Sequence, residues 1–185
     1  SDGTGNVRDL ARRALALLKE AGWEIKDGKM TDTKSGRKLA FEMLLNDSSF
    51  ERVVLPYKQN LERIGIDMTV RTVDTAQFKR REDEFDYDMM VEGFGQSLSP
   101  GNEQRDFWGS KAADTPGSRN SLGIKDAAID SLIDTLIAAP DRESLIAVTR
   151  ALDRVLLWSN FVVPNWHNNK VFVAYWNRFA RPEKS

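Results

Sequence analysis

Leu39-Ala40-Phe41-Glu42-Met43-Leu44-Leu45, Ile66-Asp67-Met68-Thr69-Val70-Arg71-Thr72-Val73 and Phe85-Asp86-Tyr87-Asp88-Met89-Met90-Val91 are the runs whose order decides the fold. In the first, Leu39, Phe41, Met43 and Leu45 alternate, as a half-buried strand over 38–46 requires. The second and third alternate likewise, over 66–73 and 85–91. Between the first two, Asp47-Ser48-Ser49 offers a helix cap, and Phe50, Val53, Val54, Tyr57, Leu61 and Ile64 fall on one helical face that ends at Gly65. Pro56 inside that helix is expected to kink or loosen its early turns. Asp74 and Thr75 can cap a second, shorter helix reaching about residue 82. Residues 38–93 thus read β-α-β-α-β, a pattern that places parallel neighbours in one sheet through right-handed crossovers.

Working outward, Val7, Leu10, Ala11, Ala14, Leu15, Leu18 and Ala21 recur at helical spacing ahead of Gly22. Asp27-Gly28 between Trp23–Lys26 and Lys29–Thr31 signals a hairpin, because both residues tolerate positive φ. Residues 95–124 are rich in Gly, Ser, Asn and Pro and read as a long loop interrupted near Asp106-Phe107-Trp108. Two helices are expected next. One carries Ile129, Leu132, Ile133, Leu136 and Ile137 behind Asp126; the other, after Pro140-Asp141, carries Leu145, Val148, Leu152, Val155 and Leu156. Phe161-Val162-Val163-Pro164 and Val171–Trp176 read as strands. The expected fold class is α/β: a mixed sheet with a β-α-β-α-β core, packed by the two C-terminal helices.

The chain has 185 residues, 41% of them apolar and 30% charged, which suits one globular domain spanning 1–185. Its 27 Lys and Arg nearly cancel its 28 Asp and Glu, so it lacks the basic footprint of a nucleic-acid binder. The absence of Cys excludes disulfides, thiolate catalysis and Cys-ligated metals, and a single His, His167, excludes His-rich metal sites. No cofactor or metal is expected. No run approaches the length of a membrane span, and the polar start, Ser1-Asp2-Gly3-Thr4-Gly5, is unlike a secretory signal.

Several constellations bear on chemistry. Gly95-Gln96-Ser97-Leu98-Ser99 follows a strand, and Ser97, Asp126 or Asp130, and His167 stand in hydrolase order. A nucleophile elbow needs Gly where Ser99 stands and a helix where Pro100-Gly101 follows, so a small serine hydrolase using Ser97 and His167 is only the alternative reading. Gly93-Phe94-Gly95 is half of a dinucleotide fingerprint and lacks its third Gly. Glu82, Asp83, Glu84, Asp86 and Asp88 have no calcium-loop spacing and read as a solvated turn. The loop side is richer: Phe94, Phe107 and Trp108 fall near Gln96, Ser97, Asn102, Arg105, Ser118, Arg119 and Asn120. Flat apolar surface beside several donors suits a ligand with peptide groups or sugars. Arg105 and Arg119 are candidate clamps for an anionic group.

Ordered motifs add a resemblance. Arg12–Trp23, with its leucine-rich helix and Ala21-Gly22-Trp23 step, Tyr57–Met68 with Leu61-Glu62-Arg63-Ile64-Gly65-Ile66, Phe85–Met89 followed by Gly93-Phe94, Ala128–Ile133, Leu152–Leu156 and Val163-Pro164 together resemble the C-terminal lobe of periplasmic oligopeptide/dipeptide-type solute-binding proteins, family 5. Phe107–Ser110, Pro116–Asn120 and Ala174–Phe179 are similar to its Yej-type subgroup, associated with oligopeptides and the peptide-nucleotide antibiotic microcin C. The resemblance implies one lobe of a type II periplasmic-binding-protein fold and no enzymatic activity. Its expected partners are an oligopeptide ligand, an N-terminal lobe of the same protein and an inner-membrane ABC permease, all in a periplasmic setting. It also implies that the Gly93-Phe94 step lines the peptide backbone. With the loop residues, the expected substrate-binding set is Gly93, Phe94, Gly95, Gln96, Ser97, Arg105, Trp108, Arg119 and Asn120. Family members often carry an Asp shortly after the Gly-Phe step to pair with the peptide amino terminus, and Gly95-Gln96-Ser97-Leu98 has no carboxylate. The chain is expected to be part of a longer protein, with Phe94, Trp108 and Trp166 exposed where the other lobe would lie.

Overall fold

The computed structural model describes residues 5–166, 170, 172, 174–176 and 178. Helix α1 (Val7–Glu20) begins at Asn6, whose side-chain oxygen accepts the Asp9 N–H. Strands β1 (Trp23–Lys26) and β2 (Lys29–Asp32) form the antiparallel ribbon that Asp27-Gly28 announces, with φ of 51° and 76° at the turn. A single bridge, Thr31 to Lys38, leads from this ribbon toward β3 (Ala40–Leu45). A 3₁₀ turn at Ser48–Phe50, capped by Asp47, opens α2 (Glu51–Glu62), which continues through Pro56. Then come β4 (Asp67–Thr72), α3 (Thr75–Asp83) capped by Asp74, and β5 (Met89–Met90).

The order β4-β3-β5 makes a three-stranded sheet that is wholly parallel, with Phe41 opposite Met68 and Met43 opposite both Val70 and Met89. The two strand directions expected of a mixed sheet are therefore divided between this sheet and the β1–β2 ribbon. The third strand is shorter than its alternation predicts. Phe85 turns the chain at φ 55°, and Arg81 holds that turn by donating from Nε to the Asp86 carbonyl at 2.8 Å. The Asp88 carboxylate, at 2.9 Å, accepts the Glu42 N–H of the central strand just ahead of β5. Asp83 and Glu82 pair with Lys79 and Asp86 with Arg81, so much of the acidic run is engaged rather than merely solvated.

The loop expected over 95–124 contains α4 (Glu103–Trp108) and a 3₁₀ turn at Ala112–Asp114. Helices α5 (Ala127–Ile137) and α6 (Arg142–Trp158) are capped by Asp126 and Asp141. They depart from expectation in what they cover. Ile129, Ile133, Leu136 and Leu152 pack with Phe107, Trp108 and Ile124 in a core of their own, while Met43, Leu45, Val54 and Met68 form the sheet's core with α2. A third cluster, Met30, Ile64 and Ile66, seats α1 on the ribbon. The C-terminal helices need no sheet face because α4 and the loop supply an apolar partner. Each fully buried Ile or Leu there contributes about 1.5–3 kcal/mol. Residues 161–164 are not a strand. They join neither sheet among the described residues, so their β-branched pattern forms no ladder. Of the strand expected over 171–176, residues 172 and 174–176 are not in a strand and the others lie outside the described residues, as does His167. No described helix is long and apolar enough to cross a membrane.

Candidate functional site

After β5 the chain leaves the sheet and runs to Ser97 without regular structure. No backbone–backbone hydrogen bond engages 93–97 among the described residues, and a Cβ at Gly93 or Gly95 would meet open space. The segment crosses onto the helical core through Phe94, whose ring lies 4.8 Å from that of Trp108 and 6.0 Å, edge-on, from Phe107. Offset and edge contacts of this kind hold rings in fixed orientations.

Between this segment and α6 lies an open groove of about 450 Å³. Phe94, Gln96, Ser97 and Trp108 form one wall, and Thr149, Leu152 and Leu156 the facing one, with Arg150 and Asp153 also on that helix. The facing residues recur at i, i+3 and i+7, one stripe of α6. Arg142, at the start of α6, ties down the loop's far end by donating to the Leu98 carbonyl at 2.7 Å and the Ser99 hydroxyl at 3.1 Å.

The remaining expected residues are placed differently. Trp108 is 7% exposed, so it presents little surface, whereas Trp166 is 66% exposed and Phe94 is half-buried. Asn120 is fully buried. Its Nδ2 donates to the Gly109 and Ile124 carbonyls and its Oδ1 accepts the Ile124 N–H, each at 3.0 Å. That amide clasps two loop strands and does not line the groove. Arg105 pairs with Asp134 at 2.6 Å, and the Arg119 guanidinium lies 3.9 Å from the centroid of the Phe107 ring. Neither arginine lines the groove. The Ser97 hydroxyl accepts the Ser99 N–H at 3.2 Å in a local turn.

Below the strand exit, the Tyr87 hydroxyl donates to the Ser121 carbonyl at 2.7 Å, linking sheet to loop. Desolvation, then the charges of Glu92 and Glu82, push the phenol up to about 12. Desolvation also pushes the Glu92 carboxyl up, opposed by the Arg119 charge. A second basin, bounded by Arg71, Arg80, Arg81, Glu84 and Asp86, alternates in charge; Arg81 bridges Glu42 at 2.8 Å and Asp86 at 3.0 Å. Gln104, only 3% exposed, was invisible as a site residue in sequence, as was the α6 stripe. The one available signal was the i, i+4 spacing of Gln104 and Trp108.

An α/β unit with a loop-built groove beyond its strand exit has relatives among solved structures. It superposes on the oligopeptide-binding protein AppA from Bacillus subtilis, solved in complex with a nonapeptide, at a TM-score of 0.68 and 25% identity, over 78% of this chain and 29% of that one. This defines the class: a portion of a periplasmic-type binding protein. The profile of the bacterial extracellular solute-binding proteins, family 5 Middle, matches residues 3–116, and the chain belongs to that family. Among curated relatives, the probable peptide-binding protein YejA of Agrobacterium fabrum is 47% identical over 176 residues, 95% of this chain and 29% of its own length. The peptidoglycan-binding protein YepA of the same organism is 40% identical over 183 residues, 99% of this chain and 30% of its own length. The chain thus spans less than a third of these relatives.

Proposed function

We propose that this chain forms one wall of an oligopeptide-binding site in a periplasmic solute-binding protein, and that the protein delivers its ligand to an inner-membrane ABC permease. The observation that carries this reading is the strand exit: a segment without regular structure, Gly93 to Ser97, that makes no backbone–backbone hydrogen bond among the described residues and is anchored by Phe94 at the lip of an apolar groove. Backbone with free donors and acceptors is what a peptide main chain pairs with, and a groove alongside receives side chains. Gly93 and Gly95 keep the approach open. Membership of a solute-binding family and likeness to peptide-binding relatives support the reading. A site shared between lobes loses part of its wall in the chain alone, so the chain alone binds weakly. Trp158, Trp166, Phe172 and Trp176, exposed by 80, 66, 87 and 80%, supply apolar surface for the remainder of the protein to cover.

The test is calorimetry on the full-length polypeptide containing this chain, with defined pentapeptides and with a cell-wall stem peptide as competitor. Phe94→Ala should weaken pentapeptide binding by about 2 kcal/mol, as loss of an aromatic anchor does, with the circular dichroism unchanged. Unaltered affinity in that variant would refute the site. Preference for the stem peptide by more than about tenfold would redirect the substrate class toward cell-wall fragments.

A further inference from the structure

One wall of the groove carries a chain of hydrogen bonds whose direction is fixed from its buried end. We propose that Gln96 meets the ligand only as a hydrogen-bond donor, its carboxamide held in one orientation by Trp108 acting through Gln104. The inference rests on the reading of the groove as a peptide site and names the chemistry that one position accepts.

An indole N–H donates and has no acceptor to offer. Trp108 Nε1 lies 2.9 Å from Gln104 Oε1, so the buried Gln104 amide must turn its oxygen toward the ring. Its nitrogen then faces two acceptors, Gln96 Oε1 at 2.7 Å and Glu103 Oε1 at 3.2 Å. Glu103 enforces the same choice independently. The Gly101 N–H, donating to it at 2.8 Å, holds its carboxyl below the ordinary value, so near neutral pH it is ionised and only accepts. A flipped Gln104 would set N–H against N–H at one end and oxygen against carboxylate at the other. With Gln104 saturated, Gln96 must give up its oxygen. Its Nε2 keeps two N–H donors that have no partner among the described residues, on a side chain that is exposed and lines the groove.

A wall group that only donates selects an acceptor: a main-chain carbonyl or a carboxylate of the peptide. It disfavours a main-chain N–H or a terminal ammonium at the same place, because two donors face each other there. Gln96 is the specificity-determining contact, and Gln104 and Trp108 are positioning residues, although Trp108 also touches the groove directly.

A double-mutant cycle on the full-length polypeptide, read by calorimetry with Ala-Ala-Phe-Ala-Ala, separates these roles. Gln96→Ala should weaken binding by about five- to tenfold, one hydrogen bond's worth. Gln96→Glu, which keeps the acceptor for Gln104 but has no donor, should weaken it at least as much. Trp108→Phe should weaken binding several-fold when Gln96 is present and by less than about twofold in the Gln96→Ala background. Equal costs of Trp108→Phe in both backgrounds, or undiminished binding by Gln96→Glu, would overturn the assignment. A ligand-free readout guards against misfolding: the Trp108 indole proton should exchange slowly by NMR and become fast in Gln104→Met. Free exchange in the unsubstituted protein would also overturn it. Failure of the unsubstituted protein to bind the peptide refutes the peptide reading itself, and the indole exchange tells that failure apart from failure of the relay.

Discussion

Replacing Asn120 with Ala should unfasten the helical core. The side chain is fully buried and makes three hydrogen bonds, all to backbone: Gly109 and Ile124 carbonyls as acceptors and the Ile124 N–H as donor, each at 3.0 Å. Each bond contributes about 1 kcal/mol net, and its loss leaves a buried backbone group unpaired, so the expected destabilisation is about 3 kcal/mol. That is a large share of a typical domain's margin. Asn120→Asp should do no better near neutral pH, because it keeps the acceptor, loses both donors, and sets negative charge against two carbonyl oxygens. Urea denaturation followed by circular dichroism gives the overall loss. Amide exchange at Ile124 localises it, and protection there should fall before protection in β3, which belongs to a different core. A loss below about 1 kcal/mol for Asn120→Ala, with Ile124 still protected, would refute the idea that this amide holds the loop.

Gly65→Ala should cost about 1–3 kcal/mol in a melting experiment, because Gly65 sits at φ +81° and a Cβ there would lie 2.9 Å from the Met30 nitrogen. Arg119→Ala in the full-length polypeptide should weaken acidic peptides about threefold more than neutral ones, a screened surface charge's effect, while Arg105→Ala, whose guanidinium already holds Asp134, should leave that ratio unchanged; equal losses in both variants would remove the clamp. Stability should fall on acidification: bonds from the Ser110 hydroxyl and N–H, then the Arg105 charge, hold the Asp130 carboxyl below its ordinary 3.8. A carboxyl depressed by folding contributes stability above its unfolded value and loses it as pH drops through the folded one. The melting midpoint should therefore decline below about pH 4, less steeply in Asp130→Asn, and identical profiles would rule Asp130 out.

The elements that sequence made legible are those whose signals are local. Asp27-Gly28 placed a hairpin because positive φ is a property of those two residues, and Asp74 and Asp126 marked helix starts because a cap reaches only to its own first turn. The parallel strands showed through their alternation. What failed was partner choice. Phe161–Pro164 has the composition of a strand but joins no sheet among the described residues, and the 85–91 run alternates correctly yet is cut to Met89–Met90 by a turn at its own first residue, Phe85, which Arg81 holds from outside the run. The apolar stripes of α5 and α6 were equally visible, but a stripe does not say what covers it, and here α4 and the loop do so instead of the sheet.

The site divides along the same line. Residue types near the Gly93–Gly95 exit announced a donor-rich aromatic surface, and Phe94, Gln96, Ser97 and Trp108 do line the groove. Arg105, Arg119 and Asn120 belong to the same loop but do not line that groove. Asn120 illustrates why: an amide offers both donors and an acceptor, so it serves a ligand or a pair of backbone strands equally well, and only the burial of Gly109 and Ile124 around it decides. Gln104 is the converse case. It is buried behind the groove's surface residues, yet by absorbing the Trp108 indole N–H at one end it fixes what Gln96 presents at the other. A loop glutamine beside solvent is ordinarily free to rotate its amide and read either polarity. Anchored through a saturated neighbour to a group that can only donate, it loses that freedom, and discrimination at the surface comes to depend on a hydrogen bond inside the core.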